Sequence, residues 1–272
     1  MPLAQSDFTY ISQLVRQRAA IVLEVGKEYL VESRLTPLAT SESLDGISGL
    51  VAGLQADRTG RLASKVVDAM TTNETLFFRD GHPFDTLRTI VLPELMKARS
   101  AARRLSIWCG ASSSGQEPYT LAMVLKETLP PGFGCDLLAT DVNEEMLERT
   151  RKGTYSQLEV NRGLPITSLV KHFDKEGTSW QVKPELRSMI QTKNVNLATC
   201  FPSMGPFDLV FLRNVLIYFD LGTKREVLQQ VRRVLRPDGY LFLGGAETTI
   251  NVDDSWQRVT LGQSTAYRPK DP

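Results

Sequence analysis

RLSIWCGASSSGQEPYTLAMVLKETL, Arg104 to Leu129, followed after Pro130-Pro131-Gly132 by CDLLATD, Cys135 to Asp141, is the stretch whose reading decides the fold. Leu105 to Cys109 is a short apolar run bounded by a turn cluster, which predicts a buried strand. Gly110 to Gly115 follows as a loop of small residues, compact enough for a ligand to approach the backbone and able to take positive φ at its glycines. Pro118 falls in the first turn of the next helix, where its missing N–H does no harm. Tyr119, Ala122, Met123 and Leu125 keep one face of that helix apolar. Leu137-Leu138-Ala139 then rebuild a strand that ends on Asp141.

A βαβ unit with a small-residue loop after its first strand and an acid closing its second is a nucleoside-binding arrangement, the acid accepting hydrogen bonds from ribose hydroxyls. The loop is not GxGxxG, and Glu117 follows it closely. A pyrophosphate needs bare N–H groups at a helix N-terminus, so a nicotinamide dinucleotide is disfavoured. A carboxylate there suits a cationic ligand, such as the amino group of a methionine-derived sulfonium.

Working outward, 272 residues hold one large domain and a small one. Thirty-two Lys and Arg against 31 Asp and Glu leave a net charge of +1, with no long-range field to draw nucleic acid or membrane. Cys109, Cys135 and Cys200 are widely spaced and read as reduced thiols of a reducing compartment. His82 and His172 are too few for a metal-ligand cluster, so no metal is expected. The N-terminus lacks a secretory pattern and no apolar run reaches membrane-spanning length, so a cytoplasmic location is expected.

Residues 6–70 read as helical. Phe8, Ile11, Leu14, Val15, Ile21 and Val22 recur at helical steps behind Ser6 as N-cap, and a second helix through Tyr29, Leu30 and Leu35 is predicted to stop before Pro37. Ile47 to Leu54 and Leu62 to Met70 give a third and fourth. Arg16, Arg18, Lys27 and Arg34 on the first two helices form either a solvated face or a docking surface for an acidic partner. Thr71 to Asp80 (TTNETLFFRD) is more aromatic than interdomain linkers usually are, which fits either core packing or one wall of a pocket. Pro83 to Ala98 reads as one amphipathic helix, and Asn143 to Lys152 as another with Gly153 as its C-cap.

From Tyr155 to about Thr192 the α/β rhythm breaks. A helix-like stretch from Leu164 to Phe173, a turn at Asp174 to Gly177 and a strand from Ser179 to Val182 predict an inserted subdomain with a β-hairpin. Val195-Asn196-Leu197 reads as a resumed strand. Asp208 to Leu212 is a buried strand that ends on Arg213-Asn214, at the edge where ligands bind in open parallel sheets. Those two polar residues must be satisfied, by internal capping or by a ligand. A helix from Thr223 to Leu235 stops at Arg236-Pro237-Asp238-Gly239. Tyr240 to Gly244 and Ser264 to Tyr267 complete the predicted strands.

Four blocks in this order, TTNETLFFR, WCGASSSGQEPYTLAM, ATDVN and FDLVFLRNVLIYFD, together resemble the chemotaxis-receptor glutamate O-methyltransferases, the CheR family; the later LRPDGYLFLGGAE also fits. The resemblance covers nearly the whole chain. It implies an α/β fold: a Rossmann-like class I methyltransferase domain with a small inserted β-subdomain, preceded by an all-α N-terminal domain. The division would be a helical domain over 1–70, a linker over 71–82 that contributes to the active site, and the methyltransferase domain over 83–272, with the inserted β-subdomain at about 156–194. It further implies S-adenosylmethionine as cofactor, S-adenosylhomocysteine as product, and glutamate side chains on the cytoplasmic domain of methyl-accepting chemoreceptors as acceptors. The enzyme would act as a monomer.

Carried over position by position, the resemblance makes Asn73, Thr75 and Arg79 cofactor contacts from the linker. Glu117 would hold the methionine part and Asp141 the ribose, Asn196 and Leu197 would flank the adenine, and Arg213 and Asn214 would close the site. Arg79 and Tyr218 match positions with catalytic roles, and in many relatives the β-subdomain grips a C-terminal receptor peptide. The family's loop often has a threonine before its second glycine and an acid after it, where Ser114 and Gln116 stand here; Glu117 is kept. The chemistry agrees, because a glutamate with a reference pKa of about 4.3 is ionised at neutral pH and needs no general base. Orientation alone is worth on the order of 7–11 kcal/mol. Rival readings are a methyltransferase for nucleic acid, which the charge balance disfavours, one for a small acid, and a catalytically silent cofactor sensor.

Overall fold

A computed structural model describes residues 3–270. The N-terminal helices α1 (Gln5–Ala19), α2 (Glu28–Ser41), α3 (Gly46–Ala56) and α4 (Arg61–Met70) enclose their own apolar core of Phe8, Ile11, Val15, Val31, Leu35, Leu50, Val66 and Met70. Three boundaries differ from the sequence reading. α1 ends at Ala19, so Ile21 and Val22, grouped with its apolar residues, lie beyond it. Ser6 lies inside α1, whose N-cap is Ala4 without a side-chain bond. α2 runs through Pro37, because Val31, Leu35 and Ala39 bury one face on both sides of it and that packing outweighs the lost backbone bond.

The expected helix over 83–98 is divided into α5 (His82–Thr86), a π-helical turn at Leu87–Val91 and α6 (Leu92–Ala98). Pro93 provides no N–H to the helix ladder, and the widened turn stands just before it. The main sheet opens with β1 (Arg104–Gly110), α7 (Gln116–Thr128) and β2 (Gly134–Asp141), followed by α8 (Glu144–Lys152). Asn143 caps α8, accepting from the Met146 N–H, and Gly153 ends it in the left-handed conformation.

The interruption begins with β3 (Thr154–Ser156), α9 (Gln157–Asn161) and α10 (Ile166–His172), and continues with β4 (Phe173–Glu176) and β5 (Ser179–Val182). The three strands form an antiparallel sheet in the order β3-β5-β4. Asp174 to Glu176, expected as a turn, belong to β4, and the chain reverses around Gly177. α11 (Pro184–Arg187) leads into β6 (Ile190–Asn194), which pairs with β2 in the main sheet. The resumed strand therefore lies at 190–194 and not at Val195–Leu197. Parallel pairing with β2 fixes that register, and Val195 N–H only continues it with a bond to the Asp141 carbonyl.

β7 (Phe207–Leu212), a 3₁₀ turn at Leu216–Tyr218, α12 (Leu221–Val234), β8 (Leu235–Leu243), β9 (Trp256–Leu261) and β10 (Ser264–Pro269) complete the chain. The Arg236–Gly239 segment, expected to separate helix and strand, is carried as an irregular start of β8 with a register shift against β7. β9 was not expected from the sequence. It is an outer strand with only Trp256 buried, so it lacks the apolar run that marks the inner strands.

The main sheet runs β6-β2-β1-β7-β8-β10-β9, with β10 antiparallel to β8 and the inner pairs parallel. The chain winds outward from β1 on one side, then crosses to the other side at β7. The crevice between β1 and β7, beyond their carboxyl ends, is the switch point where such sheets bind ligands. Cys109 is buried, Cys135 is half-buried and Cys200 is exposed, and all three are free thiols.

Candidate active site

A solvent-open cavity lies at this switch point. Asn73, Thr75, Arg79, Glu117, Asp141, Asn196, Leu197, Arg213, Asn214 and Tyr218 all line it, so every site residue named from the sequence comes to one cavity. They arrive from several elements, with Asn73, Thr75 and Arg79 together on the segment between α4 and α5. Glu117 sits in the first turn of α7, Asp141 ends β2, Asn196 and Leu197 follow β6, and Arg213 and Asn214 follow β7.

Asp141 is buried and receives the Ser113 N–H on Oδ2 (2.8 Å) and the Asn143 N–H on Oδ1 (2.9 Å). Burial pushes its carboxyl pKa upward against those two bonds. Each oxygen keeps a lone pair, the complement of a pair of vicinal hydroxyls. The loop is held from behind: Thr150 Oγ1 donates to the Ser113 carbonyl (3.2 Å) and Tyr155 Oη to the Ser114 carbonyl (2.7 Å). Gly115 is in the left-handed conformation with φ +98°, and a Cβ there would meet Thr150 Oγ1 and Tyr155 Oη at 2.8 Å.

Arg213 is satisfied internally at its two terminal nitrogens, while its buried Nε has no partner among the described residues. Its side chain is 1% exposed, and it ion-pairs with Glu117 Oε2, with Asp80 Oδ2 at 2.6 Å, and donates to the Arg79 carbonyl at 3.1 Å. Its guanidinium also lies 5.6 Å from the Phe84 ring centre. The other oxygen of Glu117 accepts from the Cys109 thiol at 3.5 Å, and burial with the nearby Glu117 charge pushes that thiol's pKa well up. Glu117 thus meets a ligand with part of its charge already compensated. Asn214 is left-handed (φ +59°), and its N–H donates to Glu247 Oε2 at 2.7 Å. Gly244 leaves room for that contact, since a Cβ there would lie 2.8 Å from both the Asn214 backbone nitrogen and Glu247 Oε2.

Arg79 is half-buried and donates to the Glu74 carbonyl at 3.3 Å. Asn73 reaches the cofactor loop through its carbonyl, which accepts from Ser113 Oγ at 2.8 Å, while its side chain donates to Thr71 Oγ1. Asn196 spends its amide on the Arg18 carbonyl and the Ala198 N–H, so part of its capacity goes to joining α1 to the sheet. Of the basic residues on the first helices, Arg34 turns inward to the Met70 carbonyl (2.7 Å) and Thr72 Oγ1 (3.1 Å), capping the end of α4, and Arg16 pairs with Asp220 at 3.0 Å. The basic face is therefore smaller than the sequence implied.

The sequence reading missed several cavity residues. Ala19 and Ile21 come from the end of α1, Ala111 and Ser113 from the loop, Val142 and Val195 from strand ends, and Phe219 from beside Tyr218. Only Ser113, in the loop already singled out, carried a usable signal. Two further supports, Asn143 and Glu247, lie just after strand ends, where polar residues in such sheets deserve notice. Apolar walls at Ile21, Val142, Val195 and Leu197 beside the paired acids fit an aromatic base attached to a sugar.

Comparison with known proteins gives a consistent picture. The family described as CheR methyltransferase, SAM binding domain, matches residues 73–265, and CheR methyltransferase, all-alpha domain, matches residues 6–71. Chemotaxis protein methyltransferase 1 of Pseudomonas aeruginosa is 42% identical over 99% of this chain and 100% of its own. Chemotaxis protein methyltransferase Cher2 of Pseudomonas putida is 38% identical over 97% of this chain and 98% of its own. The chemotaxis protein methyltransferase of Vibrio parahaemolyticus is 38% identical over 98% of both.

Proposed function

The chain belongs to the CheR methyltransferase family and is an S-adenosylmethionine-dependent methyltransferase, and from that premise we propose that it converts glutamate side chains on the cytoplasmic domain of chemoreceptors into methyl esters, with S-adenosylhomocysteine as co-product. One observation carries the reading: a carboxylate at the end of β2 and another in the first turn of α7 share a cavity with an arginine from the linker and a tyrosine from the 3₁₀ turn. Such a cavity accommodates a cationic nucleoside and an anionic acceptor together.

When bound, S-adenosylmethionine supplies a methyl group already activated on a sulfonium centre. Asp141 holds the ribose hydroxyls through its two free lone pairs, and Glu117, steadied by Arg213, faces the amino group. Asn73, Thr75, Asn196, Leu197 and Asn214 complete the cofactor's surroundings. Arg79 holds the non-attacking oxygen of the acceptor glutamate through its fork of donors, and Tyr218 orients the attacking one. The acceptor is ionised at neutral pH, so what these residues supply is alignment and exclusion of water.

Residues 1–70 form the helical domain in this proposal, 71–82 the linker and 83–272 the catalytic domain. The inserted unit grips a receptor tail; its small sheet, which starts at Thr154 and ends at Val182, before β6 rejoins the main sheet, offers outer strands β3 and β4 to an extended peptide. The enzyme works as a monomer in the cytoplasm, where its acceptors lie. Among the described residues no helix is long and apolar enough to cross a membrane.

Incubation with labelled S-adenosylmethionine and receptor-bearing membranes, followed by alkali, tests the reaction. Base-labile methanol identifies a carboxyl ester; alkali-stable label would indicate N-methylation and overturn the assignment. Arg79→Ala is expected to lose most of the turnover, and a near-normal rate of ester formation would remove Arg79 from the mechanism.

A further inference from the structure

A second cavity, about 520 Å³ and open to solvent, adjoins the first, and Arg213 lines both. It is enclosed by the turn from Asp80 to Pro83, the end of β8 with the residues that follow it, and the β9–β10 hairpin. The linker is wound tightly where the two cavities part. Phe78, Asp80 and Gly81 have φ of +48°, +70° and +61°, a conformation that a bulky aromatic residue rarely adopts. Surrounding contacts hold it: the Phe78 N–H donates to Thr120 Oγ1 at 3.1 Å, and Asp80 is pinned on Arg213. The consequence is a division of side chains, with Arg79 lining the first cavity and Asp80 and His82 the second.

The acids of the second cavity are already committed. Asp80 is paired with Arg213, and Glu247 accepts the N–H groups of Asn214 (2.7 Å), Gly244 (2.7 Å) and Ile217 (3.3 Å). The capacity left over is mostly donor capacity. Arg258 is exposed, and among the described residues its guanidinium makes one hydrogen bond, to Thr265 Oγ1 at 3.3 Å. Thr86 Oγ1 lies 2.8 Å from Ser264 Oγ and 3.3 Å from the Leu261 carbonyl, and Ser264 Oγ hydrogen-bonds His82 Nδ1 at 2.9 Å, so the imidazole is held by one nitrogen. Tyr267 and Thr248 add hydroxyls.

A cavity whose acids are spent and whose free groups are a guanidinium, an imidazole edge and hydroxyls recognises an anion. It shares a wall with the site where an anionic side chain is methylated, so one bound segment can enter both. We infer that the second cavity seats a carboxylate of the acceptor segment that neighbours the methylated glutamate, with Arg258 as its cationic partner; this rests on the reading of the chain as a protein carboxyl methyltransferase. Arg258 is then a specificity determinant for the acceptor, with no part in holding the cofactor.

The test uses the full-length protein, receptor-bearing membranes and Arg258→Ala and Arg258→Glu variants. Initial rates of base-labile label are measured against receptor concentration, and S-adenosylhomocysteine affinity by calorimetry. Arg258→Ala raises the receptor KM roughly three- to fivefold, as expected for an exposed ion pair, and Arg258→Glu raises it further. In both variants kcat and nucleoside affinity hold, and the difference from wild type narrows at high salt. Unchanged KM in both variants overturns the inference while leaving the methyltransferase reading intact. A parallel loss of nucleoside affinity also overturns it, by assigning the cavity to the cofactor. Wild-type protein that binds the nucleoside but yields no receptor ester removes the premise itself, a result distinct from the other two.

Discussion

Replacing Arg213 by methionine tests the electrostatic centre of the site. Methionine keeps much of the length and contact with Phe84 but removes the charge between Glu117 and Asp80. The two acids respond differently. Asp80 is 42% exposed, and water takes over its solvation at little cost. The Glu117 side chain is 12% exposed and is left as a nearly buried charge with only the Cys109 thiol beside it. Orphaning such a charge costs about 3–5 kcal/mol, a large share of a total stability of roughly 5–15 kcal/mol. With a urea slope of about 2 kcal/mol per molar, the midpoint falls by about 2 M. Adding Glu117→Gln removes the orphaned charge and recovers about half of the loss. Urea titrations followed by far-UV circular dichroism at pH 7 measure both steps. A midpoint shift below about 0.5 M for Arg213→Met, or a double variant no more stable than the single one, would refute the reasoning that Arg213 neutralises Glu117.

Three other substitutions probe the frame around the site. Asp68 sits near Asp141, Glu144 and Glu145; partial burial, then those charges, push its pKa up to about 6 from 3.8. A raised carboxyl pKa favours the protonated native state, so this contribution to stability is complete below pH 3.8 and is lost as the pH rises through about 6. Asp68→Asn should therefore be more stable than wild type at pH 7.5, by about 1 kcal/mol after discounting for solvent screening. Thermal melts should show that margin closing at pH 4, and a pH-independent margin would contradict it. Tyr155→Phe leaves the buried Ser114 carbonyl without its 2.7 Å donor and should cost about 1–3 kcal/mol, with weaker nucleoside binding in calorimetry; unchanged affinity would show that the loop does not need this support. Gly163 has φ +88°, and a Cβ there would lie 2.1 Å from the Phe77 carbonyl oxygen, so Gly163→Ala should destabilise by more than about 1 kcal/mol in urea titrations. A neutral result would mean that the inserted unit is not fitted against the linker as described.

Much of the candidate site was legible because several of its residues stand at punctuation marks of the chain. Glu117 begins a helix, Asp141 and Arg213 each close or follow an apolar strand, and Arg79 ends an aromatic run unusual for a linker. Ala19 and Ile21 carry no such mark, since an alanine and an isoleucine at a helix end look like any other core edge. β9 escaped notice because a single buried tryptophan does not make a strand pattern, and the small β3 strand lies among helical signals.

The sequence by itself determined the order of elements, the cofactor loop with its two acids, and the family. Apolar periodicity, turn residues and helix caps act over a few positions and leave their trace there. Only the tertiary structure decided that α2 passes through Pro37, that β6 rather than the following segment completes the sheet, and that Arg213 lies between Glu117 and Asp80. Those partners stand 96 and 133 positions away along the chain. Charges meet through space, and the burial that makes their meeting matter comes from packing that no local pattern records.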